Sequence, residues 1–381
     1  MRGLVSPCLC LLLVLLLPAC ASTPVADSTA LFDDTAFAPQ AEVIDADAVL
    51  APSARMLDFL ASDVAPAQGK KGARRALVDA LYQGHSEPWL GYDATFTRTA
   101  AEAFESRSGN CLSLVLMTSS FARQLGLEVR YQLVFSQQSW RRDEELAYLN
   151  QHVNLVLLHP PAKDQMVVDF APLAGEEGKD VRFRVVGEDT IVAMYMNNRA
   201  VELLAKHEFD RAYWWARAAI RRDPGFLDAI NTLAVLYRSR SRPDEAERLL
   251  DFLLAIEPDD IVALDNLESV LRELGRDREA DQVALRVKQL RPVPPFRSYD
   301  EGMVALGQGR YAQARDLFEK EIRRDARYDK FHASLALAWF GLGELDKAQA
   351  QMEIAVRNSA IDADRELYSR MLDKLRAGQR P

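Results

Sequence analysis

Three residues in the first half of the chain have types and surroundings suited to nucleophilic chemistry. Cys111 lies in Arg107-Ser108-Gly109-Asn110-Cys111-Leu112-Ser113-Leu114, where a polar, glycine-containing turn delivers a thiol to the start of a long apolar helix. A helix N-terminus presents unsatisfied N–H groups and the positive end of the macrodipole, which biases a thiol there toward thiolate. His152, in Gln151-His152-Val153-Asn154, and Asp169, in Val167-Val168-Asp169-Phe170, complete a possible triad. Its chemistry would be attack of the thiol on an amide carbonyl, with the imidazole carrying the proton to the leaving amine and the carboxylate orienting the ring. A thioester would follow, resolved by water or by an amine.

Cysteine usage sharpens the interest in Cys111. The chain has four cysteines. Arg2 precedes an apolar run from Leu9 to Leu17 that is too short to span a bilayer as a helix and reads as a secretory signal over residues 1–19. It ends in Leu17-Pro18-Ala19-Cys20, which resembles the lipobox of bacterial lipoproteins. The resemblance implies lipid on Cys20, a place in the bacterial cell envelope and, with Ala21 rather than an aspartate following, an outer-membrane anchor with the body facing the periplasm. Cys8 and Cys10 would leave with the signal and Cys20 would be consumed by lipid. Cys111 is then the one thiol left, without an internal disulfide partner, so it is either a buried small apolar residue or a reactive one.

The elements that must position the three residues follow from periodicity. Residues 20–51, rich in Ser, Thr, Pro, Ala and Asp without helical or strand period, read as a flexible tether. From 52 to 190 the pattern is that of an α+β domain. Pro52-Ser53 starts a helix through Met56, Leu57, Leu60 and Val64, and Ala73 to Leu81 forms a second. Thr99-Ala100-Ala101-Glu102 fits a capping box, and Leu112 to Leu125 is apolar on most sides, as a buried central helix would be, with Gly126 as its stop. The period then becomes two over Val129 to Phe135. Residues 136–150 read as a polar loop or lid, and His152 to Leu158, Met166 to Phe170 and Val181 to Val186 read as strands. A turn centred between Pro160 and Pro161 would set 152 directly opposite 169, with Cβ atoms about 4.5–5.5 Å apart.

Residues 54 to 190, and above all Arg107-Ser108-Gly109-Asn110-Cys111, His152 and Asp169, resemble the transglutaminase-like superfamily. That resemblance implies a papain-like fold in which a cysteine at a helix N-terminus meets a histidine and an aspartate on neighbouring strands. The sequence departs from the family pattern at Asn154, where an aromatic often follows the histidine, and at Phe170, where proline usually follows the aspartate.

The second half is a repeat. Pro224, Pro258 and Pro292 lie 34 residues apart, and Ala212, Ala246, Ala280, Ala314 and Ala348 share one 34-residue register. Ala200, Ala234, Gly302 and Ala336 occupy a second small position, filled by Glu268 in the third repeat. The pattern resembles tetratricopeptide repeats and implies an all-α solenoid over 191–381 with a capping helix from Asp362 to Ala377 whose packed face carries Leu367, Met371 and Leu375. Pro292, Pro294 and Pro295 suggest a kink between repeats three and four.

A net charge of −9 and the lack of a basic stripe argue against nucleic acid. His207 and His332 have no clustered ligand types and read as packing or surface residues, His85 as a loop residue; no metal or cofactor motif is present. Two functions remain open: a lipid-anchored cysteine amidase or acyltransferase whose repeats dock an envelope protein or peptide, and a non-catalytic repeat scaffold of the envelope. The retained Cys, His and Asp favour the first.

Overall fold

The computed structural model describes residues 28–83, 90–93, 96–135, 140–143, 146–149, 152–158, 165–170, 182–291, 296–359 and 361–378. The signal, Cys20, His85, the Pro160-Pro161 turn and Pro292, Pro294 and Pro295 lie outside them.

Ser53 caps the first helix, α1 (Ala54–Phe59), by accepting from the Met56 N–H. A π-helical turn leads on to α2 (Ala65–Lys71), and α3 (Ala73–Val78) ends in another. The two-residue strand β1 (Gly91–Tyr92) precedes α4 (Ala100–Ser106), which Thr99 and Glu102 open with a complete capping box. Arg107 ends α4 in the left-handed conformation, and β2 (Ser108–Gly109) pairs in parallel with β1. α5 (Cys111–Gln124) buries every side chain from Leu112 to Ala122, so its apolar character on all sides reflects a helix enclosed by structure. Gly126, at φ +67°, turns the chain out of it into the sheet.

That sheet has four antiparallel strands in the order β7 (Gln165–Val168), β6 (His152–Leu158), β3 (Glu128–Phe135) and β8 (Arg182–Val186). The 136–150 stretch, expected as a loop or lid, carries two further strands, β4 (Trp140–Asp143) and β5 (Leu146–Leu149), paired as a separate hairpin. Its alternation is short and mixed with charge, which hides a two-stranded unit from a periodicity argument.

Among the described residues, five helix pairs follow: α6 (Glu188–Ala205) with α7 (Phe209–Arg222), α8 (Leu227–Ser239) with α9 (Pro243–Ile256), α10 (Ile261–Glu273) with α11 (Asp277–Leu290), α12 (Arg297–Gly307) with α13 (Tyr311–Ile322), and α14 (Asp329–Gly341) with α15 (Leu345–Asn358). The alanines at 212, 246, 280, 314 and 348 are all fully buried, as the close approach of paired helices demands. Gly302 serves the same purpose: an added Cβ would sit 2.6 Å from the Phe318 ring. Glu268 keeps its carboxylate half-exposed by pairing with Arg272 one turn later. α16 (Asp362–Arg376) caps the array through Tyr368, Leu372 and Leu375, and Leu367, expected on that face, is 44% exposed.

One apolar core runs from Phe37 through α5, the sheet and α6 to Ala280, and the residues after 296 form separate smaller clusters. Residues 191–197 of α6 are all buried, so the first helix of the solenoid is also a wall of the α+β part.

The expectation of a flexible tether through residue 51 fails from Ser28 onward. Residues 28–51 form three short 3-10 turns, with Phe37, Val49 and Leu50 buried, and residues 31–42 lie against the solenoid. Their partners are side chains of α7 and α8 some 170 to 206 positions away in sequence, so no local period announces the contact.

Candidate active site

The turn that precedes Cys111 is held from several sides. Asn110 caps α5: its Oδ1 accepts from the Ser113 N–H and from Ser113 Oγ, each at 2.9 Å. Ser113 Oγ in turn accepts from the Arg98 N–H at 2.8 Å. A Cβ at Gly109 would lie 2.6 Å from that of Ser113, so only glycine lets the turn close onto the helix. The backbone of residues 91–93 runs alongside, with the Gly91 N–H donating to Arg107 O at 2.8 Å and the Asp93 N–H to Gly109 O at 3.1 Å. Cys111, the free cysteine among the described residues, is partly exposed at the head of the helix.

His152 opens β6 and is buried, and its Nε2 lies 2.7 Å from Asp169 Oδ1. The Cys111 thiol lies near enough to the ring to favour its charged form. The three residues therefore meet in the order thiol, imidazole, carboxylate. Burial pushes the imidazolium down, but the hydrogen bond to Asp169 and the influence of Cys111 outweigh it, and the ring is raised from 6.5 to about 9.

The strand register differs from the one expected. Leu155 pairs with Val168, which sets 154, not 152, opposite 169. The slip is two residues, so the faces are preserved and His152 reaches Asp169 diagonally. Asn154 takes the directly opposed place and donates to Asp169 Oδ2 at 3.2 Å, so the residue that departs from the family pattern helps hold the carboxylate. Asp169 itself lies just past the end of β7. Phe170 packs on Tyr82 with ring centres 5.2 Å apart, and the Tyr82 hydroxyl meets Thr118 Oγ1 of α5 at 2.6 Å. The aspartate is thereby tied to the helix that carries the cysteine.

Sequence reasoning missed Thr97 and Asn198. Thr97 Oγ1 accepts from Asn110 Nδ2 and from Asn198 Nδ2 of α6, and the Thr97 N–H donates to Glu202 Oε1 at 2.6 Å. Asn110 was visible as part of the turn, and its place three residues before Ser113 is the spacing of an N-cap; nothing local marks Thr97. His332 is buried against Gln351 and the Ala326 carbonyl, and His207 sits in the turn after α6 at φ +59°. Among the described residues no group of three or more His, Cys, Asp or Glu side chains could hold a metal ion, and no helix is long and apolar enough to cross a membrane.

Comparison with known proteins bears on the solenoid. A tetratricopeptide-repeat family profile matches residues 298–320 and 331–353. Protein FlbA of Caulobacter vibrioides is 27% identical over 154 residues, 40% of this chain and 25% of that protein, so the chain spans a quarter of the length of this curated relative. Among solved structures, PilF of Pseudomonas aeruginosa is 24% identical, covering 48% of this chain and 83% of that one, with a TM-score of 0.28. A thermophilic tetratricopeptide-repeat protein of Thermus thermophilus is 19% identical, covering 47% and 98%, with a TM-score of 0.29. The C-terminal half of the chain is an all-α tetratricopeptide-repeat solenoid, a class of scaffold that binds proteins and peptides.

Proposed function

We propose that the chain is an envelope lipoprotein whose Cys111, His152 and Asp169 form a transglutaminase-like site acting on amide bonds, while its repeats dock an envelope protein or peptide. The observation that carries the reading is the 2.7 Å contact of His152 with Asp169 beside Cys111, at the head of a buried helix. With its titration raised to about 9, His152 holds a proton at neutral pH and stands ready as a general acid. With the thiol's proton already on the ring, Cys111 Sγ attacks the carbonyl carbon, the C–N bond breaks as the imidazolium gives that proton to the leaving amine, and a thioester remains. His152, now neutral, takes a proton from water or an acceptor amine as that nucleophile attacks, and the thioester is released as an acid or a new amide. Asp169, steadied by Asn154, keeps the ring in the orientation that both halves require.

The lipobox resemblance supports lipid on Cys20 and an outer-membrane anchor facing the periplasm, which brings peptidoglycan stem peptides and envelope proteins within reach as substrates. The test is the rate of Cys111 alkylation by iodoacetamide against pH, followed by mass spectrometry of the Cys111 peptide. Wild type is expected to react quickly at pH 6, His152→Ala slowly, and Asp169→Ala in between. A Cys111 that reacts only on unfolding, or that ignores the loss of His152, defeats the catalytic reading and leaves the docking scaffold as the function.

A further inference from the structure

The segment that lies against the solenoid is bound there as a ligand would be. Two adjacent carboxylates meet two guanidinium groups, Asp33 with Arg242 at 2.7 Å and Asp34 with Arg217 at 2.9 Å. Four residues after Asp33, Phe37 is buried flat against Tyr213, ring centres 4.0 Å apart and planes 10° apart, with Tyr237 tilted beside it. The polar tips of four solenoid aromatics are turned to the segment. Tyr213 OH donates to Asp34 Oδ1, Trp214 Nε1 to the Ala38 carbonyl, Trp215 Nε1 to Glu42 Oε1, and Tyr237 OH accepts from the Asp33 N–H. Glu42 is also gripped by Arg211 through both nitrogens, each at 3.1 Å.

We infer that this face of α7 and the end of α8 is a recognition site for an acidic peptide with a 3-10 turn and one buried aromatic residue, and that residues 31–42 occupy it in cis. A helix pair needs an apolar stripe, not consecutive aromatics, of which Tyr213 is one, whose polar groups all point at one passing segment; such a set reads side chains and backbone together. The occupant is weakly held compared with the core. Phe37 is its one buried large side chain, and the ion pairs are partly open to solvent, where each adds modest net stability. It also fills the site incompletely. Beside Ala36 lies an open cavity of about 430 Å³ lined by Phe209, Ser239, Arg240, Ser241 and Arg242. Its arginines already hold carboxylates of the chain, Arg240 that of Asp210 and Arg242 those of Asp33 and Glu245, so the room beside Ala36 suits a larger neutral polar side chain, and a partner segment that carries one can displace the cis occupant.

This site gives a chemistry to the partner on the docking half of the proposed function and is independent of Cys111. The test uses the full chain and a fluorescein-labelled synthetic peptide of residues 30–43, read by anisotropy. A chain carrying Asp34→Asn and Phe37→Ala, whose own segment is released, is expected to bind the peptide about tenfold or more tighter than wild type, because the wild-type site is free only a fraction of the time. The Ala36→Gln peptide should bind more tightly than the natural one, and a peptide with Asp33→Asn, Asp34→Asn and Phe37→Ala should not bind. Hydrogen exchange on wild type gives a second reading: the amides of Asp33 and Ala38 should exchange faster than those of α7 and α8, as for a segment that opens without global unfolding. A folded variant that ignores the peptide, a variant that loses its helical circular dichroism, or exchange at 33 and 38 as slow as in α7 each overturns the inference. A chain that captures an envelope protein while its released variant ignores the peptide would sink this site and leave the docking reading standing.

Discussion

Asn110 and Asn198 donate to the same oxygen, Thr97 Oγ1, at 2.9 and 3.1 Å. One of them caps the helix that begins at the candidate nucleophile; the other belongs to the first helix of the solenoid. A single buried hydroxyl therefore joins the docking half of the chain to the Cys111 turn, and Glu202, on the same helix as Asn198, fixes the Thr97 backbone. The two halves also share the core that runs through α6.

Thr97→Ala should accordingly slow Cys111 alkylation at pH 7 by on the order of tenfold, the scale on which small misplacements of a reacting group are felt. Thr97→Ser, which keeps the shared acceptor, should restore the rate. Loss of a buried partner also costs about 1–3 kcal/mol of stability, so the rescue and the alkylation rate of the folded chain, not the melting temperature, decide the point. Equal rates in wild type and a folded Thr97→Ala chain would remove Thr97 from the site.

The small position of the fourth repeat is open to a direct steric test. Gly302 has no room for a methyl group beside Phe318, and Phe318 is fully buried and cannot swing into solvent. Gly302→Ala should destabilise the chain by about 1–3 kcal/mol through overpacking, even though alanine is the better helix former. Thermal or urea unfolding reads the change. A neutral or stabilising result would show that the α12 and α13 helices are free to move apart.

The parts of the fold that rest on local period were legible in the sequence. The 34-residue alanine register, the capping box at Thr99 and the apolar run after Cys111 each express a rule that acts over a few turns of chain. The identities of His152 and Asp169 were legible for the same reason, because alternation puts them on one face. Their register was not, since the two-residue shift depends on the connection between β6 and β7, and the sequence pattern is unchanged by a slip of two. The segment around Phe37 was illegible because its order comes from matched side chains on α7 and α8, far away in the chain. Thr97 was illegible because its role is defined by Asn110 and Asn198 together. On α16 Met371 and Leu375 pack as expected, Leu367 is exposed, and Tyr368 and Leu372 complete the packed stripe.

The membrane anchor can be tested apart from the fold. If Cys20 is lipidated, the mature chain begins there, and mass spectrometry of the exported protein should find acyl groups on residue 20 and no peptide from residues 1–19. Cys20→Ser should release the protein from the membrane fraction, since each buried methylene of an acyl chain contributes about 0.8 kcal/mol to anchoring. A different N-terminus, or a Cys20→Ser protein that stays with the membrane, rules the anchor out.

The titration of His152 supplies the last test and has a definite sign. Burial alone would lower it, so a value near 9 records how strongly Asp169 and Cys111 favour the charged ring. Because the folded-state value lies above the ordinary 6.5, the protonated ring contributes stability that is fully present below about pH 6.5 and is lost as pH rises toward 9. Wild type should therefore show a fall in melting temperature across that window that is smaller in His152→Gln. Nuclear magnetic resonance can follow the ring directly: its midpoint should lie near 9 in wild type. In Asp169→Asn or Cys111→Ala one of the two favourable partners is gone while burial remains, and the midpoint should drop. A wild-type midpoint at or below 6.5, unmoved by either substitution, would mean that the imidazole is not held between a carboxylate and a thiol, and the chemistry proposed for Cys111 would lose its proton carrier.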